Sequence, residues 1–428
     1  MAGNSVSAEG DYGVEPEAEA AGSGQTAAAC LPSMPRERVY LAVPFADNKE
    51  VKALGARWHR AAKAWFVPNG ADPQVFARWM PKEPVRVAVA EDPRAQFAEA
   101  LRRAGLQLKD LPVMDGKLHR APVEGDRRGE AAGAYVGHLD GRPAGYIENF
   151  RTGLKENWKA TRSDYRLDER DRACLAAQAA QHHDERERER ALLAARVAEK
   201  CAQLFAVARA ARPDHPYLAR KQVGAHGIRQ GTQGQGIDYT DHEGHSRRLD
   251  LNGRLLVPAR DAEGRIATLE AIDADSGKMF VPGGAVTGHF HMIGEPHAEP
   301  VSPLAIAEGY STAATVHELT RCAVAAVFSA GNLLPVSKVL RKLYPERPIL
   351  LAGDNDHLRE AECDLFGRPK PNVGRAKAEE AAAAIGARAL LPPFTAVERG
   401  SDWNDFVRIR GREEAERTWN AMRGRGGP

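Results

Sequence analysis

Three acidic clusters carry the chemistry this sequence can offer. Glu308-Gly309 follows the apolar run Leu304-Ala-Ile-Ala307, and Gly353-Asp354-Asn355-Asp356 follows Ile349-Leu-Leu-Ala352. Ser401-Asp402-Trp403-Asn404-Asp405 lies further on. Carboxylates two apart in extended chain project to the same side, so Asp354 and Asp356 can share a cation. Asp402 and Asp405, three apart, share a face if they open a helix. Hard oxygen donors at several strand ends suit Mg²⁺ or Mn²⁺, which keep waters and are completed by substrate phosphates. The natural reaction is phosphoryl transfer. The competing reading treats Asp-Asn-Asp and Glu-Gly as turn and cap residues, roles these types favour. Three such clusters in one region, two of them directly after buried-type strands, favour the site.

Other signals are weaker. Lys377 follows Gly374 at the start of a helical pattern, where amide dipoles favour an anion. Trp58 and Trp65 have rings that can stack on bases, although in so small a unit packing is the commoner role. His289 and His291 share a strand face but have no further metal donors beside them in sequence.

The elements that must position the acids read as a parallel sheet. From Leu304 onward, strand and helix patterns alternate: Leu304 to Ala307, Thr312 to Leu319, Ala323 to Phe328, Leu333 to Leu343, Pro348 to Ala352. Such alternation predicts a doubly wound α/β sheet with flanking helices, whose strand carboxyl ends are the usual ligand site. Upstream, residues 213–300 hold Gly-punctuated short apolar runs, including Leu255-Leu-Val-Pro258, Ile266-Ala-Thr-Leu269 and Phe290-His-Met-Ile293, and predict a β-rich platform. Residues 166–212, with Asp184-Glu-Arg-Glu-Arg-Glu-Arg190, predict a helical linker whose alternating charges form a solvated face. Residues 85–165 predict an α+β unit, with a helix from Asp92 to Ala104 and strands at Ala134-Tyr-Val136 and Ala144-Gly-Tyr-Ile147. Residues 37–82 predict a small α+β domain whose short helix is capped near Asp47. Residues 1–36 are acidic, small-residue-rich and poor in large apolar groups, the composition of a disordered tail, and residues 411–428 form a C-terminal tail.

Composition sets outer limits on function. The chain has 428 residues, with 60 Lys+Arg against 58 Asp+Glu, so phosphate affinity must come from local patches. No apolar run approaches the roughly 18 residues of a membrane helix. Five scattered cysteines contain no Cys-x-x-Cys pair, which excludes a zinc ribbon and implies no zinc. A cytoplasmic location is expected from the absence of a basic and apolar leader. No Gly-x-x-x-x-Gly-Lys-Ser/Thr motif supports intrinsic ATPase or helicase work.

Glu308-Gly309, the Asp354-x-Asp356 pair and the alternating pattern resemble a Toprim domain, the metal-binding fold of DnaG-type primases, topoisomerases and some nucleases. Leu304-Ala-Ile-Ala-Glu-Gly-Tyr-Ser-Thr-Ala313, Gly353-Asp-Asn-Asp-His357, Gly374-Arg-Ala-Lys377 and Asp402-Trp-Asn-Asp405 are similar to the Toprim domains of phage and plasmid primases. Gly253-Arg-Leu-Leu-Val-Pro258, Lys278-Met-Phe-Val-Pro-Gly283 and Pro216-Tyr-Leu-Ala-Arg220 resemble the primase core subdomain. His138 to Lys159 resembles the N-terminal part of TraC-type primases of conjugative plasmids, and residues 37–81 resemble a small domain of unknown function found with them.

The resemblance implies Mg-dependent nucleotidyl transfer that makes short primers on a single-stranded DNA template from nucleoside triphosphates. Glu308 would do acid/base work, and Glu308, Asp354 and Asp356, with Asp402 assisting, would hold metal. Arg220, Lys221, Arg254, Lys278 and Lys377 are candidates for gripping template or nucleotide phosphates. The implied partners are a replicative helicase or a conjugation relaxosome. Two alternatives stay open: a Toprim nuclease, and a non-catalytic single-strand DNA-binding protein of conjugative transfer. The missing zinc ribbon, which helps DnaG-type primases choose a template, is the departure from the family pattern.

Overall fold

The computed structural model describes residues 37–81, 92–126, 130–139, 143–161, 168–241, 244–296, 302–363 and 369–424. The N-terminal tail expected over residues 1–36 lies outside them.

The first unit is a three-stranded antiparallel sheet of Val39–Leu41, Ala64–Val67 and Arg57–His59, with Ala64–Val67 in the centre. Leu41 and Val67 pack with Val51 of the helix Asn48–Ala53 and with Phe76 and Trp79 of a 3₁₀ turn. Asp47 was expected as the cap of this helix. Its carboxylate instead accepts the Trp79 Nε1–H at 2.8 Å and makes no cap bond, because the helix is entered directly from a 3₁₀ turn. The second unit is a four-stranded meander (Asp115–Ala121, Gly133–His138, Ala144–Asn149, Leu154–Lys159) covered by the helix Pro93–Arg103. Gly137 and Gly145 leave room on the strands for the ring of Phe97; a Cβ at Gly145 would sit 2.4 Å from Phe97 Cζ.

One helix of 39 residues, Glu169–Val207, occupies most of the segment read as a helical linker, its first turn closed by Asp168, which accepts the Asp171 N–H. Its N-terminal half packs Cys174, Ala177 and Ala180 on Tyr40 and Ala64, and its C-terminal half packs Val197, Cys201 and Leu204 on Leu256, Leu269 and Ala271. The charged run is not wholly solvated, since Asp184 is buried and paired with Arg38 at 2.9 Å.

The platform is a five-stranded antiparallel sheet ordered Lys278–Phe280, Ile266–Ile272, Leu255–Arg260, Arg229–Gln230, Arg209–Ala210. The C-terminal sheet is ordered His291–Ile293, Val324–Ala326, Leu304–Ala307, Ile349–Ala352, Arg388–Leu390. Its last four strands are parallel, and the Leu304–Ala307 and Ile349–Ala352 strands are buried throughout. Such continuous apolar runs are required of strands covered on both faces. Two further expectations are corrected: residues 411–428, read as a tail, hold the helix Arg412–Gly424, whose Ala415 and Trp419 are buried in the core. Phe290-His-Met-Ile293, read as part of the platform, divides: Phe290 bonds both ways to Arg260 of the platform, whereas His291–Ile293 forms the antiparallel edge of this parallel sheet, paired with Val324–Ala326. Short apolar runs do not declare which sheet they join.

Candidate active site

Adjacent parallel strands bring the first two acidic clusters together. Ala307 is in register with Ala352, so Glu308 and the Gly353-Asp354 turn leave the same end of neighbouring strands. Glu308 is received by the start of the helix Ala330–Leu343, whose Ala330 N–H donates to its carboxylate. Burial nonetheless lifts its pKa above the ordinary carboxylate value, and the Asp356 and Asp402 charges add to the shift while Lys278 opposes it.

Asp354 is more strongly perturbed: burial, then the charges of Glu308, Asp402 and Asp356, push it up to about 9. Its Oδ1 is buried with no hydrogen-bond partner. A buried, unsatisfied carboxylate oxygen among other carboxylates is costly unless a cation satisfies it. In charge and donor type these residues therefore fit a hard divalent cation. Among the described residues, no three His, Cys, Asp or Glu side chains are already gathered as a metal cage.

Asp356 sits at the start of the helix Val373–Ala384: its N–H donates to Asn372 Oδ1 at 3.0 Å, and the Gly374 N–H approaches its Oδ2 at 3.4 Å. Gly374 is required there, because a Cβ would lie 2.7 Å from the Asp354 carbonyl oxygen. Asn355, between the two acids, is buried. Its Oδ1 accepts from Asn372 Nδ2 at 2.9 Å and from Arg375 at 3.0 Å, and its own amide donates to Pro392 O at 2.9 Å. These bonds to Asn355 fix the Asp-Asn-Asp turn without discharging the acids.

Asp402 has a different position. It caps the helix Trp403–Arg410 through Asp405 N–H to Oδ1 at 2.7 Å, and its Oδ2 accepts the Thr312 hydroxyl at 3.0 Å. Both oxygens are engaged by the protein, so Asp402 adds negative potential to the cluster while serving as a buried cap. Burial and then the Asp405 charge raise its pKa.

The five basic candidates divide. Lys278 acts on the strand-end acids, its ammonium opposing the upward shifts of Glu308, Asp354 and Glu270, while Lys221 opposes that of Asp402. Arg220 donates to Ala274 O at 2.8 Å and to Ser276 Oγ at 2.5 Å, and Arg254 pairs with Asp273 at 3.3 Å. Both brace the turn that delivers Lys278. Lys221 lies 3.9 Å from Asp405, and its carbonyl oxygen accepts from Asn404 at 2.7 Å. Lys377 turns along its helix to Glu380 at 2.6 Å, and Arg375 is the cation that reaches inward there. The two histidines do not meet: His291 donates Nε2–H to His226 O at 2.7 Å, whereas His289 contacts Thr287 O.

Sequence reasoning passed over Glu270, buried on the platform strand next to Lys278 with its Oε2 unpartnered and its pKa raised by burial. It also passed over Arg359 and Arg399, which with Asp356, Ser401 and Asp405 line a cleft of about 700 Å³. A lone acid in an apolar strand at Glu270 was the available signal; the two arginines carry none.

Residues 303–413 match the Toprim domain family model, over the same segment that holds Glu308, Asp354 and Asp356. Over these residues the C-terminal unit is similar to Toprim domains. Residues 38–81 match a domain of unknown function, DUF5710. The chain is 38% identical over 390 residues to a DNA primase TraC of Escherichia coli, covering 89% of this chain and 34% of the relative. A second Escherichia coli DNA primase TraC is 38% identical over 395 residues, covering 90% of this chain and 25% of the relative. The chain thus spans between a quarter and about a third of the curated relatives it matches. Among solved structures, a DnaG primase catalytic domain bound to ssDNA is 12% identical, covering 54% of this chain and 80% of its own, with a TM-score of 0.37. A DNA primase domain from Pseudomonas aeruginosa is 16% identical, covering 54% and 77%, with a TM-score of 0.35. Among the described residues, no helix is long and apolar enough to cross a membrane.

Proposed function

We propose that this chain is the catalytic part of a DNA primase that joins nucleotides on a single-stranded DNA template, with Mg²⁺ or Mn²⁺ as its cofactor and no zinc. The observation that carries the reading is the buried, unpartnered Asp354 Oδ1 set among the charges of Glu308, Asp356 and Asp402. Glu308, Asp354 and Asp356 would hold the cation. When bound, it supplies Lewis acidity toward the phosphates and neutralises developing charge.

The chain's own groups do the rest. Glu308, whose burial raises its proton affinity, takes the proton of the attacking 3′-hydroxyl. That oxygen forms a bond to the α-phosphorus as the bond to pyrophosphate breaks. Lys278 faces the same charges and steadies the phosphates, and Arg359 and Arg399 in the neighbouring cleft grip the departing pyrophosphate. Arg220, Lys221 and Arg254 act through the turn and helix they brace, and Lys377 stays on the surface with Glu380. A replicative helicase or a conjugation relaxosome is the proposed partner, in the cytoplasm.

The test is incorporation of labelled nucleotides on circular single-stranded DNA with Mg²⁺, for the parent chain, Glu308→Gln, and Asp354→Asn with Asp356→Asn. The expected result is short products from the parent that vanish in both variants. Cleavage of the DNA with the same dependence would replace this reading by a nuclease. Binding alone, unchanged in every variant, would leave a non-catalytic single-strand binding protein.

A further inference from the structure

The small N-terminal unit has chemistry the proposed reaction does not use. Residues 37–81 contain seven Lys and Arg against four Asp and Glu, in a chain whose overall balance is nearly neutral. All four acids are occupied. Glu37 pairs with Arg188, and Asp47 bonds Trp79 and faces Arg78. Glu50 also meets Arg78, and Asp72 caps the Gln74 N–H. Arg38 is spent on Asp184. Lys49, Lys52, Arg57, Arg60 and Lys63 remain exposed, and none of them has a carboxylate partner among the described residues.

Between these cations lies an aromatic ring that the fold leaves open. Arg57–His59 is the edge strand of the sheet, and Trp58 on it is 50% exposed, unusual for the largest apolar side chain in so small a unit. The ring does not swing freely. It packs edge-on against Trp65 with centroids 5.5 Å apart, and Trp65 is pinned by its Nε1–H to Asn48 Oδ1 at 2.8 Å. Arg60, two residues on from Trp58, sits with Lys63 in the turn that leaves the strand; Lys52 lies one helical turn beyond Asn48; and Arg57, opposite Phe66 on the other face, lies on the same open sheet edge. A fixed aromatic face framed by unpaired cations has the two elements of a single-strand platform: stacking on bases and neutralisation of phosphates. A duplex would hide its bases from the ring, and an acidic protein surface would leave the ring unused.

We propose that this sheet edge binds single-stranded nucleic acid, Trp58 stacking on an unpaired base while Lys52, Arg57, Arg60 and Lys63 hold the flanking phosphates. The reading does not depend on nucleotidyl transfer, and its test includes no nucleoside triphosphate and no metal.

The full chain is titrated against a fluorescein-labelled 20-nucleotide oligothymidylate in EDTA, by anisotropy, at two salt concentrations. Trp58→Ala is expected to bind about tenfold more weakly, the scale of one base stack removed, whereas Trp58→Phe keeps most of the affinity. Arg57→Glu with Arg60→Glu is expected to flatten the slope of log affinity on log salt by about 0.7 for each phosphate no longer neutralised. If Trp58→Ala does not fold, the charge-reversed pair and the Phe variant still decide. A bromodeoxyuridine-substituted oligonucleotide is then photocross-linked to the parent, and the cross-link is expected in the peptide carrying Trp58. Affinity equal in all variants, or cross-links confined to other peptides, overturns the proposal and leaves Trp58 as a contact for a protein.

Discussion

Asp402 separates two accounts of the acidic cluster, and two substitutions tell them apart. By residue type it belongs with the metal acids; by geometry it is a helix cap, Oδ1 accepting the Asp405 N–H and Oδ2 the Thr312 hydroxyl. Asp402→Ala removes the cap, worth about 1 kcal/mol. It also removes a hydrogen bond to a charged group, worth about 1.5–3 kcal/mol. The expected loss is therefore about 2.5–4 kcal/mol, a fall of several degrees in a thermal melt. Asp402→Asn has the same shape, keeps a carbonyl oxygen for Asp405, and turns its amide to the Thr312 oxygen, which can accept. It also removes one of the charges that raise Asp354 and Glu308. Its melting temperature is expected within about a degree of the parent's, and its nucleotide incorporation within about tenfold, since the cap bonds survive. Asp354→Asn, by contrast, should abolish incorporation. An Asp402→Asn protein that melts like the parent yet is as inactive as Asp354→Asn would refute the cap account and make Asp402 a cation ligand.

Two further predictions concern the frame around the site. His291 is buried with its pKa held down to about 4, mainly by burial, and its Nε2–H must donate to the His226 carbonyl, which leaves Nδ1 bare. The unfolded chain binds this proton near pH 6.5 and the folded chain only near 4, so stability falls as pH drops through that window. By pH 5 the loss is about 2 kcal/mol. His291→Gln keeps a donor and should lose that part of the acid sensitivity in melts at pH 7 and pH 5; an unchanged pH dependence would place the sensitivity elsewhere. Gly145→Ala would put a Cβ 2.4 Å from Phe97 Cζ and 2.8 Å from the Val136 carbonyl oxygen. Overpacking of that kind costs about 1–3 kcal/mol. A lowered melting point, partly restored by adding Phe97→Leu, is expected; no shift would mean that the helix Pro93–Arg103 does not pack as described.

What the sequence made legible was local in origin. Leu304-Ala-Ile-Ala307 and Ile349-Leu-Leu-Ala352 announce strands buried on both faces, and the acids directly after them announce the strand-end site. The trouble lay with long-range partners. His291–Ile293 has the same apolar signature whether it pairs in the platform or beside Val324–Ala326. Asp402 and Asp354 are the same residue type, but only tertiary packing against Thr312 turns the first into a buried cap. Among the cations, nothing local separates Lys278, which faces the acids, from Arg254, which is spent on Asp273.

The cost of the cluster explains the frame built around it. Asp354 is held near pKa 9 by burial beside like charges, so at neutral pH the folded chain keeps a proton there that the unfolded chain would release. Burial first, and then repulsion from the other acids, would drive a charged Asp354 and its turn away from Glu308 unless other bonds fixed both. They do: Asn355, Asn372 and Arg375 lock the turn with bonds of 2.9–3.0 Å that leave Asp354 Oδ1 unpartnered, and the Ala307–Ala352 register locks the strands. A cation arriving at Asp354 would displace the proton and discharge the repulsion together, so its affinity should rise with pH toward 9. That slope is measurable as a growing Mg²⁺-dependent rise in melting temperature between about pH 6 and pH 9. It should be absent in Asp354→Asn, whose amide has no proton to exchange; a pH-independent Mg²⁺ effect in the parent would sink this account of the cluster.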